Sequence, residues 1–258
     1  GEGEPEVAVV GLVHGDEVCG LRAINRFKRK IADGEVNLKK PVKLVLANEK
    51  AFEQGKRFVD SDLNRAFPGD KQSSDHEEKL ASELIDELKG LKILDFHASR
   101  SPKTPFGIIS GLNEENMSVA RQTLMDNVIE ISFVEGGLIG SFEAAAVVEA
   151  GLHNQSETAE KAFEVMLNFL AANQVIDQEF TLSDPDIFQV YDRSEGSGFE
   201  FTAENFAKVK KGEVFASKDG QERIAEESFY PVLMSTDGYD DMIGFEAKKL
   251  NKKDLPES

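Results

Sequence analysis

The sequence predicts an α/β protein, with a mixed, mostly parallel sheet covered by helices on both faces and then a small all-β region. Three observations lead there. Short apolar runs alternate with stretches of helical periodicity from Val7 to Asn173, the pattern of a sheet packed between helices. Those runs are continuous, as in Val7-Ala8-Val9-Val10, which marks strands buried on both sides. Beyond about Phe180 the helical spacing stops. Short β-rich runs separated by Gly, Asp, Ser and Lys take over, as expected of strands joined by turns. The change divides the chain into a larger α/β domain over residues 1–176 and a small β domain over residues 177–258.

Each element has its own justification. Val7 to Val13 reads as a core strand. Leu21, Ile24, Phe27, Lys28 and Ile31 then follow helical spacing, and Asp33-Gly34 supplies the stop. Val42 to Leu46 is a second strand. Asn48 to Arg65 is polar and aperiodic, and a loop of that length inside a domain is more often functional than idle. Phe67-Pro68-Gly69-Asp70 makes a turn. Ser74 to Lys89 is an amphipathic helix with Leu80, Leu84, Ile85 and Leu88 on one face, stopped by Gly90. Leu91 to Phe96 is a strand that ends at His97, and Phe106 to Ser110 is another. Glu114 to Asn127 reads as a helix, Ile131 to Val134 as a strand, and Gly136 to Gly140 as a flexible rim. Ala144 to Val148 is a strand ending at Glu149. Ser156 to Asn173 is a long helix carrying Ala159, Phe163, Met166, Leu167 and Leu170.

Composition narrows the function classes. The net charge is −18, which disfavours binding to a phosphate backbone, since that needs a basic face. The acids concentrate in helices, as in Asp75-His76-Glu77-Glu78, and read as a solvated surface. No run is long and apolar enough to span a bilayer, and the N-terminal stretch lacks a signal-peptide pattern. Cys19 is the only cysteine, so no internal disulfide forms, which fits a reducing cytoplasm. The expectation is a cytoplasmic protein with no nucleic-acid or membrane partner, and the sequence is compatible with a homo-oligomer. An anionic substrate would need a local island of Arg, Asn and metal to attract it.

Four histidines are present, and two of them follow apolar strands: His14 in His14-Gly15-Asp16-Glu17, and His97 after Asp95-Phe96. Glu149 holds a third such position. Polar groups from distant segments converge when they share the carboxyl end of one parallel sheet. Zinc takes imidazole nitrogen and carboxylate oxygen, usually three protein ligands with one position left open. His14, Glu17 and His97 satisfy that composition. A lone histidine at a strand end is usually just a hydrogen-bonded residue, but two of four at such ends weigh against coincidence. His76 lies in a charged helix and reads as exposed, and His153 either lines the site or packs. Cys19, at the first turn of a helix, reads as buried. The glycines near Gly136 have neither Gly-Lys-Ser/Thr nor Gly-x-Gly-x-x-Gly around them, so they are no nucleotide loop.

With these motifs in order, the chain resembles the succinylglutamate desuccinylase/aspartoacylase family, which has a zinc-carboxypeptidase-like fold. The resemblance rests on Gly11-Leu12-Val13-His14-Gly15-Asp16-Glu17, Asp62-Leu63-Asn64-Arg65-Ala66-Phe67, Asp95-Phe96-His97 and Val148-Glu149-Ala150-Gly151. Tyr230-Pro231-Val232 and Tyr239 match its last β element. The resemblance implies one zinc per chain held by His14, Glu17 and His97, with Glu149 activating the metal-bound water. It also implies that Arg57 polarises the scissile carbonyl. It further implies that Asn64 and Arg65 bind the substrate carboxylate, that Tyr239 closes over substrate, and that the small β domain caps the site. Asp62 and Asp95 are candidates for orienting the histidines.

The chain departs from the family's aspartoacylases in one respect. They carry an arginine some residues before the catalytic glutamate, where this chain has Leu138-Ile139-Gly140-Ser141-Phe142 and no arginine between Arg121 and Arg193. N-acetylaspartate is therefore not the expected substrate. The leading expectation is a zinc-dependent hydrolase of N-acylated amino acids or similar small, anionic amides. A metallocarboxypeptidase acting on short peptides is the second reading. A non-catalytic, zinc-dependent metabolite-binding protein is the third, and Glu149 argues against it because a pure binder needs no general base.

Overall fold

The computed structural model describes residues 3–99, 104–236 and 240–256. Val7–Gly11 forms β1, and all five residues are buried. Lys43–Leu46 (β2) and Lys92–Ser99 (β3) flank it in parallel, with Val9 in register with Leu44 on one side and Leu94 on the other. Side chains alternate across a strand, and the two sets enter different apolar layers. Val7 and Val9 join a layer completed by the helices Cys19–Ala32 (α1), Glu114–Arg121 (α5) and Ser156–Ala172 (α6). Ala8 and Val10 join a second layer with the short helix Leu63–Ala66 (α3) and with His76–Leu88 (α4). Phe27 of α1 and Phe169 of α6 are fully buried in the first layer. Each stabilises it by about 1.5–3 kcal/mol relative to exposure.

The β1–α1 junction is unusually close. A Cβ on Gly11 would stand 3.0 Å from the backbone of Gly20, and one on Gly20 would stand 2.9 Å from Cα of Gly11. Bare glycines let the first turn of α1 lie directly on the end of β1, so the loop between them has little freedom.

The sheet continues outward from β3. Ala145–Leu152 (β6) runs parallel to β3, and Phe106–Ile109 (β4) runs antiparallel to β6. Asn127–Glu130 (β5) is parallel to β4, and Asp186–Glu195 (β7) is parallel to β5. Met242–Lys249 (β12) and Tyr230–Val232 (β11) complete the far edge in antiparallel pairing. The nine-stranded order is β11-β12-β7-β5-β4-β6-β3-β1-β2. The mixed, mostly parallel sheet with helices on both faces is therefore present. Glu200–Phe201 (β8), Val214–Lys218 (β9) and Gln221–Ile224 (β10) form a separate three-stranded sheet. It has its own small core around Val209, Phe215, Phe229 and Met234. The described strands beyond residue 177 are thus divided between the two sheets. Ile187, Phe188 and Val190 of β7 are buried in the two main layers.

Two local expectations are corrected. Ile131 to Val134 is a turn, closed by the Val134 N–H on the Ile131 carbonyl at 2.8 Å, and the strand lies just upstream at Asn127–Glu130. The helix α5 stops at Arg121 and leaves the chain free for that strand. The strand's last residue, Glu130, is buried but well partnered. It accepts from the Gly111 and Ser132 amides and from Gln189 Nε2 at 3.0, 2.8 and 3.0 Å. The polar stretch after Asn48 is also not structureless. Asn48 caps the short helix Glu49–Glu53 (α2) by accepting from the Ala51 amide, and Asp62 caps α3 by accepting from the Asn64 amide.

Candidate metal centre

The site lies at the carboxyl ends of β1, β3 and β6. On β3, Ile93, Asp95 and His97 alternate with Leu94, Phe96 and Ala98, which face the other layer. His97 therefore projects on the same side of the sheet as α3 and α4. Glu149 of β6 is in register with His97. Beyond β1 the chain bends, the Glu17 amide donates to the His14 carbonyl at 3.0 Å, and both side chains turn inward.

Three donor groups meet there. Nδ1 of His14 lies 2.9 Å from Oε1 of Glu17, and Nδ1 of His97 lies 2.9 Å from Oε2. The donor atoms of all three residues lie within 4.8 Å of one another. Each residue is no more than 4% exposed. The two imidazoles meet edge to face, 4.9 Å between centroids. Each turns its other nitrogen to an aspartate: His14 Nε2 lies 3.1 Å from Asp62 Oδ1, and His97 Nε2 lies 2.8 Å from Asp95 Oδ2. A carboxylate on Nε2 keeps the proton there and leaves the Nδ1 lone pair free, the tautomer a metal needs.

Arg57 stands over the same group. Its Nη1 donates to Glu17 Oε1 at 2.7 Å, its Nη2 is 2.9 Å from His14 Nε2, and its Nε is 3.5 Å from Asp62 Oδ2. The backbone helps hold it, because the Gly15 amide donates to the Arg57 carbonyl at 2.9 Å. Only glycine fits at 15. A Cβ there would lie 2.4 Å from the Phe52 nitrogen and 2.6 Å from the Lys56 oxygen.

The electrostatics follow from this crowding of carboxylates. Burial pushes the Glu17 carboxyl up, but the charge on His97 and the close approach of both imidazoles outweigh it and hold the group well below its usual value. Burial pushes the His97 ring down, but the Asp95 and Glu17 carboxylates outweigh that and hold it well above its usual value. Asp62 is likewise lowered, the hydrogen bond and charge of His14 and the charge of Arg57 overcoming burial. Cys19 is no competitor for a metal. Its thiol is buried against the His97 carbonyl at 3.3 Å. Burial and the charges of Glu17 and Glu149 push its ionisation far up.

The residues fit a zinc ion. Nδ1 of His14 is buried and makes no hydrogen bond, although Glu17 stands beside it. The donors are two imidazole nitrogens and a carboxylate, the set zinc accepts with bonds of about 2.0–2.2 Å. A divalent cation among them would offset the mutual repulsion of the crowded Glu17 and Asp95 carboxylates.

The other expected site residues are placed as follows. Glu149 is half-buried beside His97. Asn64 is in the first turn of α3 and accepts from the Leu138 amide at 3.2 Å. Arg65 is exposed, with Nη1 donating to the Asn64 carbonyl at 3.3 Å. Tyr239 lies outside the described residues. His153 is half-buried and comes within 4.8 Å of Asp16 and Glu17 through its ring nitrogen.

Sequence reasoning misses Glu77. The pattern groups it with the solvated acids, yet it is 0% exposed. It accepts from the Val59, Asp60 and Ser61 amides and from Asn48 Nδ2. Burial raises its carboxyl, and these donors outweigh that and hold it below the usual range. Nothing in Asp75-His76-Glu77-Glu78 distinguishes this acid from its neighbours.

A family model described as the succinylglutamate desuccinylase/aspartoacylase catalytic domain matches residues 3–153, more than half of the chain. The chain belongs to this family. It is 32% identical over 83 residues to a probable aspartoacylase of Prochlorococcus marinus subsp. pastoris, covering 32% of this chain and 28% of that protein. It is 37% identical over 73 residues to a succinylglutamate desuccinylase of Pseudomonas paraeruginosa, covering 28% and 22%. It is 34% identical over 89 residues to the N-acyl-aromatic-L-amino acid amidohydrolase (carboxylate-forming) B of Danio rerio, covering 32% and 28%. These matches span about a quarter of each relative's length. Among solved structures, the product-bound ectoine utilization protein EutE (DoeB) of Ruegeria pomeroyi superposes with a TM-score of 0.74 at 20% identity. That match covers 97% of this chain and 87% of the other. Murine aminoacylase 3 superposes with a TM-score of 0.71 at 18% identity, covering 96% and 97%. The fold is the one these solved structures share.

Proposed function

We propose that the protein is a zinc-dependent amidohydrolase that cleaves the amide bond of an N-acylated amino acid or a similar small amide. One observation carries this reading: the convergence of His14 Nδ1, the Glu17 carboxylate and His97 Nδ1, with an aspartate behind each imidazole. The names of the sequence relatives, which act on acylated amino acids, support the substrate class.

Zinc bound there would bring the pKa of a water down to about 7 and polarise an amide carbonyl. His14 and His97 present Nδ1 and keep their protons on Nε2, where Asp62 and Asp95 accept them. In that tautomer Arg57 Nη2 loses its acceptor on His14. The guanidinium is then available to donate to the carbonyl oxygen as it becomes an oxyanion. Glu149, in register with His97, takes the proton of the attacking water and returns it to the amide nitrogen as the C–N bond breaks. Asn64 and the exposed Arg65 hold the substrate carboxylate, a task suited to a planar guanidinium with two parallel donors.

Metal analysis of purified, unchelated protein is expected to find about one zinc per chain. A panel of N-acyl amino acids and short peptides is then assayed with and without chelator. Chelator-sensitive release of a free amino acid is the expected result. Preferential loss of C-terminal residues from peptides would move the assignment to a carboxypeptidase. Protein without tightly bound divalent metal would end the zinc reading.

A further inference from the structure

The segment that carries Arg57 and Asp62 has almost no apolar anchor. None of residues 52–60 is buried, and Phe58 is 38% exposed. A segment of that kind opens easily unless hydrogen bonds hold it. Yet Arg57 and Asp62 contact Glu17 and His14 at hydrogen-bond distances, which requires a fixed backbone.

The main tether of residues 59–61 is a carboxylate. Oε1 of Glu77 accepts from the Val59 amide at 2.6 Å and from Asn48 Nδ2 at 2.8 Å. Oε2 accepts from the Asp60 amide at 2.9 Å and from the Ser61 amide at 3.1 Å. An ionised carboxylate offers about four acceptor positions, and all of them are used. Three consecutive amides turned toward one anion form the concave nest that binds negative charge. Glu77 is also in the first turn of α4, where the helix dipole favours an anion. The neighbouring contacts lock the same joint from outside. Asp60 Oδ2 accepts from the His76 amide at 2.9 Å, and Ser61 Oγ donates to Asp75 Oδ1 at 3.1 Å.

Asn48 extends the connection to the other loop of the site. Its own amide donates to the Leu12 carbonyl at 2.8 Å, two residues before His14. The Glu77 carboxylate thus links α4 both to the segment holding Arg57 and Asp62 and, through Asn48, to the loop holding His14 and Glu17. We infer that Glu77 is a positioning residue: by gathering the amides of residues 59–61, it sets Arg57 and Asp62 against Glu17 and His14. The inference deepens the zinc reading above and rests on it for its effect on metal.

Glutamine at 77 keeps the volume but turns an acceptor oxygen into an NH2 group facing backbone donors. Aspartate keeps the acceptors on a shorter arm. The full chain is compared as wild type, Glu77→Gln, Glu77→Asp and Leu84→Ala, the last removing a buried side chain of the same helix away from the amide nest. Zinc affinity is measured by competition with a chromophoric chelator, and amide exchange is read at residues 59–61. Glu77→Gln is expected to weaken zinc binding about tenfold or more, as loss of outer support for metal ligands does, and to speed exchange at those amides. Glu77→Asp should recover part of both. Leu84→Ala should lower the melting temperature while leaving zinc affinity nearly unchanged. Zinc affinity and exchange in Glu77→Gln indistinguishable from wild type would overturn the inference. So would an equal loss of zinc affinity in Leu84→Ala, because the effect would then be general destabilisation. Should the glutamine variant fail to fold, the aspartate variant decides by the same two readouts. A wild type that binds no zinc condemns the zinc reading instead, and the exchange rates alone then decide whether Glu77 anchors the segment.

Discussion

His97 on β3 stands in register with Glu149 on β6, one strand spacing away in a parallel pair. A parallel pair brings residues far apart in the chain to the same end of the sheet and onto the same face. That single register puts the proposed base beside one proposed ligand without any loop having to reach.

Replacing Glu149 by Gln removes the proton acceptor while keeping shape and hydrogen-bonding capacity. The variant is expected to retain wild-type zinc content by metal analysis. Its turnover of an N-acyl amino acid should fall by about 10²–10⁴-fold, the usual contribution of a general acid–base. Turnover within a few fold of wild type would remove Glu149 from the mechanism.

Gly15→Ala places a methyl group where the Phe52 nitrogen and the Lys56 oxygen already stand, at 2.4 and 2.6 Å. The β1–α1 loop and the segment ahead of Arg57 must separate, stretching the Gly15–Arg57 backbone hydrogen bond. Overpacking of this kind costs about 1–3 kcal/mol. Denaturant unfolding should register that loss, and zinc affinity should fall with it. Wild-type values for both would show that the loop yields without moving the ligands.

The metal-free protein should have a stability optimum on the mildly acidic side. Glu17, Asp62 and Glu77 are lowered in the folded state. Their contributions are therefore present above the ordinary carboxylate range of about 4 and are lost as pH falls through the folded values. His97 is raised. Its contribution is complete below the unfolded value of about 6.5 and is lost as pH rises through the folded one. Denaturation midpoints in the presence of chelator, measured from pH 3 to 9 (roughly the span of these groups), should peak between the two limbs. The alkaline limb should disappear in His97→Gln, and its persistence would assign that limb to another group.

Much of the fold and of the site is legible in the amino-acid order. Continuous apolar runs mark buried strands, and alternation with helical spacing marks the sheet between helices. His14, Glu17, His97, Asp62 and Asp95 are all carried by short motifs, and the structure brings these five side chains together. Other features are not legible. Ile131 to Val134 has the composition of a strand, but the pairing of Asn127–Glu130 with β4 and β7 takes the strand upstream. Periodicity cannot choose between adjacent short runs when the partner strand decides.

The sequence by itself determined the buried strands β1 and β3, the first helix and its stop, and the chemistry available at the sheet's carboxyl edge, because backbone geometry and side-chain period act over a few residues. Only the tertiary structure decided that Glu77 is an interior anchor while Glu78 beside it is not, that Arg57 lies on Glu17, and that β7, β11 and β12 extend the large sheet. Those outcomes depend on which distant amides, carboxylates and strand edges are brought together and removed from water. The cost of leaving a buried polar group unpaired is a property of the whole assembly.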